Sequence, residues 1–94
     1  MHVVGFEVEI RIPESQSLKD RRQVVRSLLD GARRRFSVSA AEVGGQDTWQ
    51  RATLGFAVVA SEARLAEELV DQLDRFLWSR SEIEIVDAQT HWLG

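Results

Sequence analysis

Residues 42–60, EVGGQDTWQRATLGFAVVA, decide the fold, because one predicted strand ends, a polar connection crosses and a second strand begins within them. In the second half, Leu54, Phe56 and Val58 recur at every other position, the period of a strand with one buried face. Gly44-Gly45 has the backbone freedom that a turn or bulge needs. The stretch therefore predicts a hairpin at the centre of the protein.

Three further strands are indicated by the same kind of pattern. Residues 2–12 alternate apolar and charged side chains up to Pro13, which removes a ladder donor and ends the strand. Residues 37–43 form a weaker strand pattern carried by Val38, Ala40 and Val43. Residues 82–92 form the last strand, whose apolar parity slips at Ile85-Val86 and so predicts a β-bulge there.

Two amphipathic helices separate these strands. Ser17 is predicted to cap the first, which begins near Leu18, and Ser61 to cap the second, which ends near Trp78. The predicted buried stripes are Leu18, Val25, Leu28, Leu29, Ala32 and Phe36 in the first helix, and Leu65, Ala66, Leu69, Val70, Leu73, Phe76 and Leu77 in the second.

The order strand, helix, strand, strand, helix, strand predicts an α+β, ferredoxin-like split βαβ sandwich. Its four-stranded antiparallel sheet would carry both helices on one face, with the first and third strands at the centre. We expect residues 1–94 to form a single domain.

Composition sets broad limits on function. The 94 residues are 44% apolar and 29% charged and lack cysteine, which fits a small domain in a reducing compartment. Since no leader-like start or membrane-length apolar run is present, we expect a cytoplasmic protein without a membrane partner. The net charge of -3 argues against bulk capture of nucleic acid, yet residues 19–35 hold seven basic and two acidic side chains.

Several motifs resemble the YlxP-like family of uncharacterised small bacterial proteins. They are PESQSLK at 13–19, the RRxVV that follows at 21–25, AEVG at 41–44 and QDxWQRA at 46–52, so that the resemblance covers nearly the whole chain. The resemblance implies a small ferredoxin-like domain without an assigned activity. It also implies a gene neighbourhood, because the genes of this family often lie beside those of translation initiation and ribosome maturation factors. The resemblance assigns no catalytic residue.

A basic row lies along one flank of the first helix. At about 100° per residue, Lys19, Arg22, Arg26 and Arg33 fall close together, and Arg34 follows in the last turn. These five side chains are candidate contacts to ribosomal RNA. Two alternatives stay open: the arginines pair with Glu67, Asp71 and Asp74 of the second helix, or they form a solvated face.

The connection between the hairpin strands is a second candidate site. Trp49 would be an aromatic anchor for a partner or ligand, with Gln46, Asp47, Gln50 and Arg51 as polar contacts. In the alternative interpretation, Trp49 folds back over the end of the core and Arg51 pairs with Asp47 or Glu42.

The open sheet face is a third candidate. Its central positions are small or apolar, which predicts a homodimer interface and disfavours base stacking on aromatic side chains. A small-molecule-sensing role for this face is a further alternative. The predicted interface residues are Val3, Gly5, Thr53, Gly55, Ala57 and Val59.

Chemistry that depends on metals, cofactors or a catalytic triad is not indicated. His2 and His91 are two ligands at most, and the predicted bulge sends them to opposite faces. Ser15 and Ser17 have no nearby histidine, and Gly44-Gly45 lacks the spacing of a phosphate loop. We therefore expect a protein without metal or cofactor that is not an enzyme.

Overall fold

A computed structural model describes residues 1–45 and 48–94 and shows the predicted α+β architecture. The elements are β1 (His2–Arg11), α1 (Leu18–Arg35), β2 (Val38–Gly44), β3 (Arg51–Ala60), α2 (Ala63–Trp78) and β4 (Glu84–Trp92). The four strands form one antiparallel sheet in the order β2-β3-β1-β4, so the first and third strands are central, as predicted. This is the arrangement of a ferredoxin-like βαββαβ fold.

The two central strands bury one face and leave the other open. Val4 pairs with Val58, Phe6 with Phe56, and Val8 with Leu54. All six of these side chains belong to the core, together with the inner residues of both helices. The predicted parity of β1 and β3 is thereby confirmed, and their odd-numbered residues face away from the helices.

The first helix begins as predicted, whereas the second begins later. The Ser17 hydroxyl accepts a hydrogen bond from the Asp20 amide at 3.1 Å, and the Asp20 carboxylate accepts one from the Gln16 amide. The cap predicted at Ser61 is wrong, because Glu62 is the cap residue and α2 begins at Ala63 without a side-chain cap bond. The phase of the packed stripe, set by buried Ala66, outweighs the local preference for serine.

Two bulges adjust the edge strands. The predicted slip is confirmed: Ile10 pairs with Ile85 while Glu9 pairs with Asp87, which leaves Val86 as the extra residue. A second bulge lies in β2 between Glu42 and Gly44. Val43 is the extra residue, and its side chain packs over Gly55 on the open face.

Two smaller features complete the fold. Leu18 was expected in the buried stripe but lies exposed at the first position of α1, outside the core. Gly45 adopts a φ of 77°, the positive angle expected for the Gly-Gly pair. Among residues 1–45 and 48–94, neither helix combines the length and apolar character needed to cross a bilayer.

Candidate functional site

The basic row borders a groove between α1 and β2. Arg22, Arg26 and Arg33 line this groove, which has a volume of about 350 Å³. Val25 and Leu29 form its apolar part, and we call it the α1–β2 groove. Lys19 and Arg34 are exposed on the same helix but do not line the groove, so the structure brings together three of the five predicted contacts.

The acidic flank of α2 lies at the opposite edge of the sheet. Glu67 and Asp71 line a separate groove with Trp92 of β4. Among the described residues, no ion pair joins α1 to α2. The interpretation in which the arginines pair with the acids of α2 is therefore wrong, because the matching flanks of the two helices point away from each other.

The carboxylates inside the α1–β2 groove are already engaged. Asp30 binds Arg33 at 3.1 Å, and Arg33 also donates to the Ala40 carbonyl of β2. Glu42 binds Arg21, which comes from beneath the groove. Within residues 1–45 and 48–94, Arg22 and Arg26 have no carboxylate partner, so the groove presents two cations whose charge is not neutralised locally.

Arg21 is the key residue that the sequence interpretation missed. Its side chain is only 3% exposed, and its guanidinium binds the Glu42 carboxylate. The same group donates to the carbonyls of Gly45, at 2.8 Å, and Arg51, at 3.0 Å. The signal was present, because Arg21 stands four residues before Val25 and seven before Leu28, in the phase of the buried stripe.

Arg21 thereby clamps the two ends of the connection between β2 and β3. We call residues 46–51 the tryptophan loop; its predicted members Gln46 and Asp47 lie outside the described residues. Gln50 holds the loop to the segment before α1 by donating to the carbonyls of Pro13, at 3.4 Å, and Ser15, at 3.3 Å. Two of the motifs quoted above, PESQSLK and QDxWQRA, are thus in direct contact.

Trp49 projects from this anchored loop. Its side chain is 55% exposed, so the interpretation in which it folds back over the core is wrong. Arg51 was expected to pair with Asp47 or Glu42; its carboxylate partner among the described residues is Glu9 of β1, at 3.0 Å. Glu42 is unavailable to Arg51 because buried Arg21 occupies it.

The face of the sheet opposite the helices has an apolar end and a charged end. The predicted residues Val3, Gly5, Ala57 and Val59 share the apolar end with Leu93, whose backbone pairs with Val3. Gly55 and Thr53 follow toward the charged end, which contains Glu7, Glu9, Asp87, Arg11 and Arg51. Val59 is 59% and Leu93 70% exposed.

The histidines and serines take other roles. As predicted, His2 and His91 lie on opposite faces: His2 packs edge-on against Trp92, and His91 lies 3.8 Å from Glu7 on the open face. Ser15 is buried and donates to the Ser17 carbonyl at 3.1 Å. Over residues 1–45 and 48–94, no three potential metal ligands come together.

Comparison with known proteins identifies the family. The family described as "Protein of unknown function (DUF503)" matches residues 3–90. The chain belongs to the DUF503 family. Its relative in Bacillus subtilis (strain 168), "Uncharacterized protein YlxP", is 37% identical over 91 residues, which cover 96% of this chain and 99% of that protein. The resemblance inferred from the motifs is thereby confirmed.

A solved structure supports the fold of this DUF503 protein. The designed protein Foldit4 superimposes with a TM-score of 0.59 at 17% identity, covering 95% of this chain and 96% of that one. At this identity the likeness concerns the fold alone.

Proposed function

We propose that this DUF503 protein is a non-enzymatic RNA-binding module of the cytoplasm, and that the α1–β2 groove is its binding surface. The observation that carries the proposal is the position of Arg22 and Arg26, which face an open groove without carboxylate partners among the described residues. Such cations attract phosphate groups and release their counterions on binding.

The spacing of the arginines suits a polyanion. Arg22 and Arg26 are four residues apart, which is a rise of about 6 Å, and Arg33 lies a further rise of about 10 Å along the helix axis. Arg22 and Arg26 can each meet a phosphate of one strand, whereas Arg33 is already paired with Asp30. Because the contacts are to phosphate, we expect affinity that depends on salt and only weakly on base sequence.

Two further considerations support the proposal: one favours the groove over the open sheet face, and the other favours RNA as the ligand. The open sheet face has no aromatic side chain on the central strands β1 and β3, so it lacks the platform on which other modules stack bases. The gene neighbourhood implied by the family resemblance supports RNA, or the ribosome, as the source of the phosphates.

Charge reversal tests the groove directly. A fluorescently labelled 12-nucleotide RNA is titrated with the unmodified protein and with the double variant Arg22→Glu/Arg26→Glu. The matched control is Arg64→Glu/Arg75→Glu on α2, which changes net charge equally at the other edge of the molecule. We expect the groove variant to lose at least about tenfold in affinity and the control much less. Equal losses in both variants, or no binding by the unmodified protein, would refute the proposal.

A second candidate function is self-association through the open sheet face. It is supported by the apolar end of that face, where Val59 and Leu93 are more than half exposed beside Val3 and Gly5. In this arrangement two copies bury these side chains at their centre and keep the charged ends as a polar rim. The face lies opposite the helices, so a homodimer leaves both α1–β2 grooves open to RNA.

A further inference from the structure

Trp49 is an exposed aromatic side chain that lies between two hydrogen-bonded residues. More than half of its surface is open to solvent, although its neighbour Thr48 is hydrogen-bonded within the connection and its neighbour Gln50 is hydrogen-bonded to the segment before α1. Tryptophan is enriched among the residues that carry most of the binding energy at interfaces. Trp49 does not line the α1–β2 groove.

One hydrogen bond within the connection and bonds from two other elements hold the residues around Trp49. The Thr48 hydroxyl donates to the Gly45 carbonyl at 3.0 Å. The Ile12 amide donates to the Gln50 carbonyl at 2.8 Å, which joins the loop to the end of β1. The Arg21 guanidinium joins it to α1. A ligand that contacts Trp49 therefore meets a side chain whose neighbours Thr48 and Gln50 are already held by hydrogen bonds, which lowers the entropic cost of ordering these residues.

The loop and the groove share one end of the molecule. Arg21 lies in the first turns of α1 and touches the loop through Gly45 and Arg51. Arg22, the next residue, lines the α1–β2 groove. Glu42 connects both regions, since it lines the groove and binds Arg21. A strand whose phosphates follow the arginines toward the start of α1 thus runs toward the end of the molecule that carries Trp49.

We propose that Trp49 stacks against an unpaired base, so that the site selects single-stranded over double-stranded polynucleotide. The proposal rests on the proposed function of the α1–β2 groove. Base stacking on an aromatic side chain is largely independent of base identity, because every base has a π face. In a duplex those faces are covered by neighbouring base pairs, and the bases must be unstacked before an aromatic side chain can reach them.

The test uses Trp49 as its own probe. The variant Trp78→Phe/Trp92→Phe leaves Trp49 as the single tryptophan of the chain. We expect its fluorescence to be quenched by a 12-nucleotide single strand and not by a 12-base-pair duplex of the same sequence. RNA and DNA strands are compared in parallel, because both present bases and phosphates. The ratio of their affinities shows which of the two polynucleotides the site prefers.

Affinity measurements separate stacking from charge. We expect Trp49→Ala to weaken single-strand binding by about 5- to 150-fold, which corresponds to about 1–3 kcal/mol for one stacked base. Trp49→Phe should retain most of the affinity. The matched control Trp78→Ala removes another exposed tryptophan, at the end of α2, and should have no effect. Inorganic polyphosphate has no base, so its binding should be the same in Trp49→Ala and in the unmodified protein.

The outcomes distinguish this inference from the proposed function. If single strands bind and respond to the groove variants, but quenching is absent and Trp49→Ala equals Trp78→Ala, the stacking role is refuted and the groove stands. If neither polyphosphate nor RNA binds, both proposals are refuted. A uniform loss for polyphosphate and RNA in Trp49→Ala would show that the tryptophan supports the loop only, which also refutes stacking.

Discussion

Replacing the buried Arg21 by alanine should destabilise the protein far more than replacing any of the exposed arginines of α1 by alanine. The substitution removes a guanidinium that makes hydrogen bonds to Gly45 and Arg51 and an ion pair to Glu42. It leaves the Glu42 side chain, which is only 19% exposed, without its cation. The carbonyls at both ends of the tryptophan loop lose a donor at the same time.

The magnitude follows from the burial of the pair. Removing one partner of a buried ion pair costs about 3–5 kcal/mol. The partial exposure of Glu42 allows water to solvate the orphaned carboxylate, so we expect the lower end, about 3 kcal/mol. Domains of this size unfold with about 5–14 kcal/mol in total. A loss of 3 kcal/mol should lower Tm by about 12–24 °C.

Urea denaturation followed by circular dichroism measures this loss. Two further variants test whether the loss comes from the buried ion pair. Arg22→Ala, one residue away and exposed, should change the free energy of unfolding by no more than about 0.5 kcal/mol. Arg21→Met combined with Glu42→Leu should recover part of the loss, because no unpaired charge stays buried. If Arg21→Ala and Arg22→Ala have equal stability, the clamp does not hold the loop.

Three further predictions concern the helices and the sheet face. Gly31→Ala should destabilise by up to about 2 kcal/mol in urea, because the new Cβ would lie 2.8 Å from Cζ of Phe76, and this overlap exceeds the gain of about 1 kcal/mol in helix propensity. Adding Phe76→Leu should relieve the overlap; a Gly31→Ala protein more stable than the unmodified one would contradict this. Ser17→Ala should lower the free energy of unfolding by about 1 kcal/mol, and an unchanged urea midpoint would show that the cap to Asp20 is unimportant. Val59→Asp should convert a dimer to a monomer in sedimentation equilibrium, while an unmodified protein that is monomeric at micromolar concentration would refute self-association through this face.

The strand pattern could be predicted because a period of two leaves few choices. Val4, Phe6 and Leu54 share one parity, and only burial beneath the two helices satisfies it. The change of parity at Ile85-Val86 likewise has one common cause, a bulge, and the structure shows it beside Ile10. These features depend on local alternation, which the sequence displays directly.

The candidate site was harder to predict because it depends on tertiary geometry. The sequence was compatible with a basic flank of α1 that faces the acidic flank of α2 and with one that faces away from it. Only the docking of both helices on the sheet shows that Arg22 and Asp71 face opposite edges. Arg21 lies at the helical spacing of the buried stripe, but arginine is a charged residue that is usually exposed. Its burial requires the Glu42 carboxylate and two loop carbonyls to converge on it, which becomes visible once β2 and the loop are placed.

The salt dependence of RNA binding tests the account most directly. For a single strand, the slope of log K against log salt is about -0.7 per phosphate neutralised, so contacts from Arg22 and Arg26 should contribute about -1.4. Titrations of the 12-nucleotide RNA between low and moderate salt should show this slope, and Arg22→Gln should reduce it by about 0.7 while Arg64→Gln leaves it unchanged. Affinity that does not vary with salt, or a slope that Arg22→Gln and Arg64→Gln change equally, would contradict the assignment of the α1–β2 groove.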